Sequence, residues 1–346
     1  MDIMKTVTDG HPAEVRPRFS VIVPVYNRID EVRDLLDSLS RQSLKNFEVI
    51  IVEDGSTAPC LDAVREAEGI DVKYYFKENE GRSIARNYGL ERAAGEYFIF
   101  FDSDCVIPPD YFSVLTRELD ANPTDCFGGP DSAHESFTTT QKAINFAMTS
   151  FLTTGGIRGG KVSLEKFVPR TFNMGYSRRV YERVGGFREM FSEDIDMSTR
   201  IRNAGFSIAL IRPAFVYHKR RVDFRKFLRQ VYVFGMSRIT LKQLYPGSLK
   251  AVHALPAIAV IIGVVLLLLS IFVSPWFLLP LAVYLFAIFV TALVSTRSVA
   301  IAAKAVPASV IQICGYGCGF IKAYFLKIIL GKGRDVEEEI LIRKGK

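Results

Sequence analysis

A chain of 346 residues with a formal charge of +7 is long enough for one large domain or two ordinary ones. Its hydrophobic share of 49% is unevenly spread: residues 251–296 contain no Asp, Glu, Lys or Arg, whereas the part before them has the composition of a soluble α/β domain, which excludes a uniformly soluble chain. The five Cys (Cys60, Cys105, Cys126, Cys314, Cys318) are odd in number and form no Cys-x-x-Cys, so they are read as reduced thiols in a cytosolic setting rather than as a disulfide or zinc framework.

Residues 1–18 mix charges with Pro and lack an apolar core, so they read as a tail and not as a signal peptide; the domain that follows is expected in the cytoplasm. Residues 19–27, Phe-Ser-Val-Ile-Val-Pro-Val-Tyr-Asn, predict a first strand and its exit. Asp30 is expected to cap a helix to about Gln42, with Val32, Leu35, Leu36 and Leu39 on one face. A second strand, 47–52, ends in Glu53-Asp54-Gly55-Ser56; a short helix is expected over 59–68 and a third strand over 72–76. Glu80-Gly81-Arg82 leads into a helix through Ala93.

Tyr97-Phe98-Ile99-Phe100-Phe101 has no polar face, as in a strand buried inside a parallel sheet. Asp102-Ser103-Asp104 follows where that strand should end. Ligands of open α/β sheets bind outside the carboxyl ends of the strands, and an Asp-x-Asp there offers hard oxygen ligands to a divalent cation that also carries substrate phosphates. Strands alternating with helices at this spacing predict a doubly wound, mostly parallel sheet. Further on, 127–130 reads as a strand end, 141–152 as helical, 153–166 as a Thr- and Gly-rich candidate acceptor loop, and 172–176 as a strand before a helix that stops at Gly185-Gly186. A helix over 193–203, a strand over 207–211 and Val216-Tyr217-His218 complete this part.

From Asp223 the pattern changes. Phe224, Phe227, Leu228, Val231 and Phe234 alternate with Arg225, Lys226 and Arg229, so 223–250 reads as a basic amphipathic helix at a membrane surface. The basic stripe of Arg178, Arg179, Lys219, Arg220, Arg221, Arg225, Lys226 and Arg229 suits lipid headgroups or phosphates. No recognition helix, RNP-like strand or zinc spacing supports nucleic acid as a partner. About 20 residues cross the ~30 Å hydrocarbon core, so 251–296 is long enough for two spans, about 255–273 and 276–294, turning at Ser274-Pro275 with Trp276 as an aromatic anchor. The apolar segment 305–321 carries Pro307 and Gln312, and Arg297, Lys304, Lys322, Lys327, Lys332 and Arg334 flank it on both sides; a re-entrant or interfacial third helix with both ends in the cytoplasm is expected. Residues 331–346 form a charged tail.

Five motifs in order resemble a family-2 glycosyltransferase of the GT-A fold: residues 20–27 (Ser-Val-Ile-Val-Pro-Val-Tyr-Asn), 52–56 (Val-Glu-Asp-Gly-Ser), 81–89 (Gly-Arg-Ser-Ile-Ala-Arg-Asn-Tyr-Gly), 101–104 (Phe-Asp-Ser-Asp), and Gly185-Gly186-Phe187 followed by 192–196 (Ser-Glu-Asp-Ile-Asp). The resemblance covers about residues 18–221. It implies a nucleotide-sugar donor, UDP-linked if Asp54 accepts from a uracil-type N–H, with Pro24, Tyr26 and Asn27 shaping the base and ribose pocket. Arg82 and Arg86, i,i+4 near a helix N-terminus, suit the diphosphate. Asp102 and Asp104 would hold Mg²⁺ or Mn²⁺ as a Lewis acid on the leaving group, and some GT-A enzymes place a further ligand or phosphate contact at the position of His218. Asp194, with Glu193 beside it, is the implied base for a single, inverting displacement.

Departures from the pattern narrow the expectation. The Gln-x-x-Arg-Trp of processive members is absent, since the single Trp is Trp276; transfer of one sugar per acceptor follows. Polyprenyl-phosphate sugar synthases carry a His before two Pro after the Asp-x-Asp, and Asp104-Cys105-Val106-Ile107-Pro108-Pro109 lacks it. The expected activity is therefore transfer to a lipid-linked saccharide at the inner face of the cell membrane, in surface polysaccharide or glycan biosynthesis. A polyprenyl-phosphate sugar synthase and a non-catalytic scaffold that binds nucleotide sugar or lipid remain as alternatives.

Overall fold

The structure is a computed structural model that describes residues 16–132, 137–154, 167–218 and 223–332. Both expected tails (apart from residues 16–18, 331 and 332), residues 155–166 of the candidate acceptor loop, and Lys219, Arg220 and Arg221 lie outside the described residues. The described residues form two compact units: 16–132, 167–189 and 193–218 in the first; 137–154, 190–192 and 223–332 in the second.

In chain order the first unit opens with β1 (Phe19–Val25), α1 (Ile29–Ser40), β2 (Phe47–Asp54), α2 (Leu61–Arg65), β3 (Asp71–Lys77), α3 (Arg82–Leu90), β4 (Tyr97–Phe100), β5 (Cys105–Val106), α4 (Tyr111–Ala121), β6 (Cys126–Gly128) and β7 (Asp131–Ser132). After α5 (Thr139–Thr149) and α6 (Phe151–Thr154), which belong to the second unit, come β8 (Met174–Ser177), α7 (Arg178–Val184), α8 (Glu193–Asn203), β9 (Ile208–Leu210) and β10 (Val216–His218).

Seven strands form one sheet in the order β3-β2-β1-β4-β8-β6-β9. The four strands β3, β2, β1 and β4 are parallel, with Val21 opposite Val49 and Ile99. β8 runs antiparallel between β4 and β6, and β6 pairs with β9 in parallel, so the expected mostly parallel sheet carries one reversed strand. Alternate residues face opposite sides. Val21, Val23, Val49 and Ile51 join Leu35, Leu39, Phe112 and Leu115 in one core, while Ile22, Ile50, Val52, Phe98 and Phe100 join Ala85, Met197 and Ile201 in the other. Both faces are thus covered by helices, which is why these strands read as unbroken apolar runs. A second small sheet, β5-β10-β7, brings His218 opposite Cys105.

Helix α1 begins at Ile29 with Arg28, not Asp30, before it; Asp30 and Glu31 occupy its first turn, where acids favour the helix dipole without making a cap bond. Because the parallel strands end along one edge, the segments after β1, β2 and β4 lie side by side there, carrying Tyr26-Asn27, Gly55-Ser56 and Asp102-Ser103-Asp104.

The second unit contains α5, α6, α9 (Phe224–Leu244), α10 (Leu255–Phe272), α11 (Leu279–Thr296) and α12 (Val299–Tyr324). Residues 137–154, which fall inside the expected 19–222 domain, cluster with the second unit. The reason is packing: Ala143 and Phe146 of α5 share a core with Ile288, Ala292, Ala302 and Ala305, and Ile144, Ala147 and Met148 share one with Phe227, Val231 and Ala308. Three stretches, Ala251–Phe272, Pro275–Thr296 and Val299–Ile329, are long and apolar enough to cross a membrane. The third, expected as a re-entrant or interfacial helix, is one continuous helical segment with Pro307 inside it; proline is tolerated in helices of this kind when neighbouring helices pack around the break in hydrogen bonding.

Candidate active site

At the strand edge Asn27 adopts φ 52°, a left-handed conformation that Asn tolerates better than most residues. Its backbone N–H donates to Ser56 Oγ (2.7 Å), and its Oδ1 accepts from Thr57 N (2.9 Å) and Ala58 N (3.2 Å), so the exits of β1 and β2 are tied together. Ser56 in turn donates to the buried Glu53, which also accepts from Cys60 N (2.7 Å). Pro24 is half-buried in β1 and Tyr26 stands 51% exposed beside this junction.

Asp54 is buried at the end of β2. Its Oδ1 accepts from Lys77 Nζ (3.0 Å) and Glu80 N (3.0 Å), and its Oδ2 from Gly81 N (2.8 Å). The carboxylate therefore fixes the 79–81 loop and the entry of α3, where Gly81 sits at φ 106°.

Arg86 is fully buried, at 0% exposure, and its guanidinium spans two carboxylates: Nη2 to Asp102 Oδ1 (2.8 Å) and Nη1 to Glu193 Oε1 (2.9 Å). Arg82, one turn earlier, donates from Nη2 to Glu193 Oε2 (2.6 Å). Burial opposes the charge of Arg82, but Glu193, Asp102 and Asp194 outweigh it and raise its pKa. Both arginines expected on phosphate are thus engaged with protein carboxylates. Glu193 is itself 0% exposed and held on both oxygens. Its neighbour Asp194 is different: its side chain is 15% exposed, with Oδ2 3.1 Å from Arg170 Nη1 and Oδ1 accepting from the backbone N of Ile195 (2.8 Å). Two adjacent acids that look equivalent in sequence are one buried clamp and one accessible carboxylate.

The Gly-Gly-Phe motif positions this helix. Asn87 Nδ2 donates to Phe187 O (2.8 Å), and Phe187 N donates back to Asn87 Oδ1 (2.7 Å). A Cβ on Gly186 would fall 2.3 Å from Asn87 Oδ1, so a larger residue would push the Asn87 amide off Phe187. The ring of Phe187 lies under the Arg86 guanidinium at 5.6 Å.

Asp102 and Asp104 converge on His218. Its Nε2 lies 3.1 Å from Asp104 Oδ1 and 3.9 Å from Asp102 Oδ2, and its ring stacks on Phe172 at 4.7 Å. Among the described residues His218 Nδ1 is buried without a hydrogen-bond partner. Asp104, Cys105 and His218 lie close enough to share an ion. Burial, then Asp104 and Asp102, push the Cys105 thiol well up, and it donates to Phe172 O (3.5 Å). A protonated, hydrogen-bonded thiol is a poor ligand for a hard cation, so the fitting donor set is Asp104, His218 and Asp102.

Sequence reasoning missed two cations at this site. Arg28 faces the Asp pair: burial opposes its charge, yet Asp104, Glu31 and Asp102 raise its pKa. Arg170 pairs with Asp194 from 24 positions away. Arg28 in the loop after the first strand was the only local signal available; Arg170 offered none.

Comparison with known proteins agrees with this architecture. Residues 20–185 match the family model Glycosyl transferase family 2. An uncharacterized glycosyltransferase of Rickettsia conorii is 38% identical over 110 residues, 30% of this chain and 18% of its own. TuaG of Bacillus subtilis, a glycosyltransferase assigned to teichuronic acid biosynthesis, is 44% identical over 92 residues, 26% of this chain and 36% of its own. The chain thus matches only about a fifth to a third of the length of these relatives. Among solved structures, the mannosyltransferase PcManGT from Pyrobaculum calidifontis, in complex with GDP-Man and Mn²⁺, superposes with a TM-score of 0.54 at 19% identity, covering 92% of this chain and 88% of that one, a likeness of fold. The fold is GT-A, and residues 20–185 match a family-2 glycosyltransferase domain.

Proposed function

We propose that the chain is a membrane-anchored, metal-dependent, inverting glycosyltransferase. It moves one sugar from a nucleotide-sugar donor to a hydroxyl of a lipid-linked saccharide at the cytoplasmic face, in surface polysaccharide biosynthesis. The observation that carries this reading is the chain Asp104–His218–Asp102–Arg86–Glu193, which joins a hard-ligand cluster to the helix that presents Asp194. A divalent cation, Mg²⁺ or Mn²⁺, held by Asp102, Asp104 and His218 would supply Lewis-acid stabilisation of the departing nucleoside diphosphate. PcManGT, with GDP-Man and Mn²⁺ bound, supports a nucleotide sugar and a divalent ion here, and TuaG supports a polysaccharide product.

The protein's own residues divide the remaining work. Tyr26, beside the Asn27 junction and Pro24, presents an exposed ring on which a nucleobase can rest. Asp54 shapes the 79–81 loop; the uracil contact expected from the resemblance has only its remaining lone pair to use. Arg82 and Arg86 reach phosphate only indirectly, by setting Asp102 and Glu193. Asp194 takes the acceptor proton as the hydroxyl attacks, and Arg170 holds the carboxylate in place. Glu193 anchors the helix.

Helices α10 and α11 cross the bilayer and α12 lies along its inner interface, because Arg297 and Lys304 at one end and Lys322, Lys327 and Lys332 at the other keep both ends on the cytoplasmic side. The test is Asp194→Asn in the detergent-purified chain. Donor binding measured by calorimetry with Mn²⁺ is expected to persist, while transfer to a pool of lipid-linked saccharides falls by about 10²–10⁴. Undiminished transfer would refute the assignment. Turnover with a polyprenyl phosphate as sole acceptor would replace the saccharide acceptor.

A further inference from the structure

Helices α9 and α12 approach until their backbones touch. A Cβ on Gly235 would lie 2.1 Å from Tyr316 O, and one on Gly319 would lie 2.0 Å from Tyr232 O. Such contacts between small residues are how apolar helices pack when no water is there to drive them together. Beside the seam runs an open groove of about 370 Å³. Arg225, Leu228, Arg229 and Tyr232 of α9 form one wall, and Cys314 and Cys318 of α12 the other, over Gly315. Apart from the two guanidiniums its lining is apolar.

Arg225 and Arg229 are one turn apart and exposed, and among the described residues neither guanidinium has a carboxylate partner. Asp223 is the only acidic residue between positions 223 and 332, and it is paired with Lys226 at 3.6 Å. The groove therefore offers two uncompensated, bidentate-capable cations at the edge of an apolar channel, on a helix pair whose second member is long and apolar enough to cross a membrane. A free phosphate would satisfy the cations and leave the channel empty; a neutral lipid would do the reverse. We infer that this groove binds one bilayer phospholipid with an anionic headgroup, its phosphate on Arg225 and Arg229 and the start of an acyl chain over Gly315 between Cys314 and Cys318. The site is independent of the glycosyl-transfer reading.

Cys314 and Cys318 supply the reporter, being exposed while Cys60, Cys105 and Cys126 are buried. The full chain is placed in nanodiscs of phosphatidylcholine alone or with phosphatidylglycerol. Maleimide labelling at Cys314 and Cys318 is followed, and retained lipid is counted by native mass spectrometry. Phosphatidylglycerol is expected to slow labelling several-fold and to be retained in preference to phosphatidylcholine by roughly 30-fold, from two basic residues at the headgroup. Both effects are lost in Arg225→Gln/Arg229→Gln and kept in Lys304→Gln, which removes a charge outside the groove. Equal losses in the two variants would mean diffuse attraction and overturn the site. Protection by inorganic phosphate, or by polyprenyl phosphate in phosphatidylcholine without any effect of phosphatidylglycerol, would overturn the occupant.

Discussion

Arg86→Met isolates the part of the site that holds the two carboxylate clusters together. The substitution removes charge-assisted hydrogen bonds of 2.8 Å to Asp102 and 2.9 Å to Glu193, while a methionine keeps the apolar stem against Phe187. Glu193, with no exposure, keeps the bond from Arg82 and loses the one from Arg86. Removing one partner of a buried pair costs about 3–5 kcal/mol, because the other charge stays in place without solvent. Asp102 is part-exposed, so its half of the loss counts for less and Glu193 carries most of the effect. For a domain of about 200 residues, that loss lowers the unfolding midpoint by roughly 6–20 °C. The only tryptophan, Trp276, lies in the second unit, so its fluorescence would not follow the event. Thiol labelling of Cys60, Cys105 and Cys126 on heating reports on the first unit, where all three are buried. Arg86→Lys keeps the charge but cannot span both carboxylates, and is expected to fall between the two. A midpoint for Arg86→Met within about 2 °C of the parent would refute the clamp.

Removing divalent ions with EDTA is expected to abolish transfer, with Mn²⁺ or Mg²⁺ restoring it; activity that survives exhaustive chelation would contradict the ligand assignment. Calorimetry should find Mn²⁺ binding lost in Asp104→Ala and weakened in His218→Ala, and an unchanged affinity in both variants would move the ion elsewhere. Arg170→Gln should lower kcat about tenfold to a hundredfold with little change in KM, since it misplaces the base and not the donor; a change confined to KM would show that Arg170 binds substrate instead. Asp54→Ala strips two hydrogen bonds from the 79–81 loop and one from Lys77, and should destabilise the domain by about 2–3 kcal/mol in denaturant titration. A neutral result there would mean that the loop is held by other contacts.

The strands β1, β2 and β4 were legible because burial on both faces leaves an apolar run too short for a buried helix and bounded by turn residues, and Asp102-Ser103-Asp104 stood out because two charges end such a run. The antiparallel β8 was legible as a strand but not as a reversed one, since four residues carry no information about direction. The resemblance separated Asp194 from Glu193 but residue type alone did not: helix geometry turns them about 100° from each other, and what each meets is decided by α3 and by Arg170. Arg82 and Arg86 pointed to phosphate because a helix N-terminus favours anions, yet the anions that arrive are side chains from positions 102 and 193. Pro307 did not show whether the third apolar segment runs on as one helix; packing of neighbouring helices keeps α12 continuous.

One guanidinium shared between Asp102 and Glu193 also makes the site a linkage device. On the proposed reading, an ion between Asp102, Asp104 and His218 would draw on a carboxylate whose Oδ1 already accepts from Arg86, and Arg86 also holds Glu193 at the start of the helix that carries Asp194. Loading the donor side and setting the acceptor side would then be thermodynamically coupled, equally in both directions. By whatever factor the ion changes the affinity for a saccharide at Asp194, the saccharide would change the affinity for the ion by the same factor.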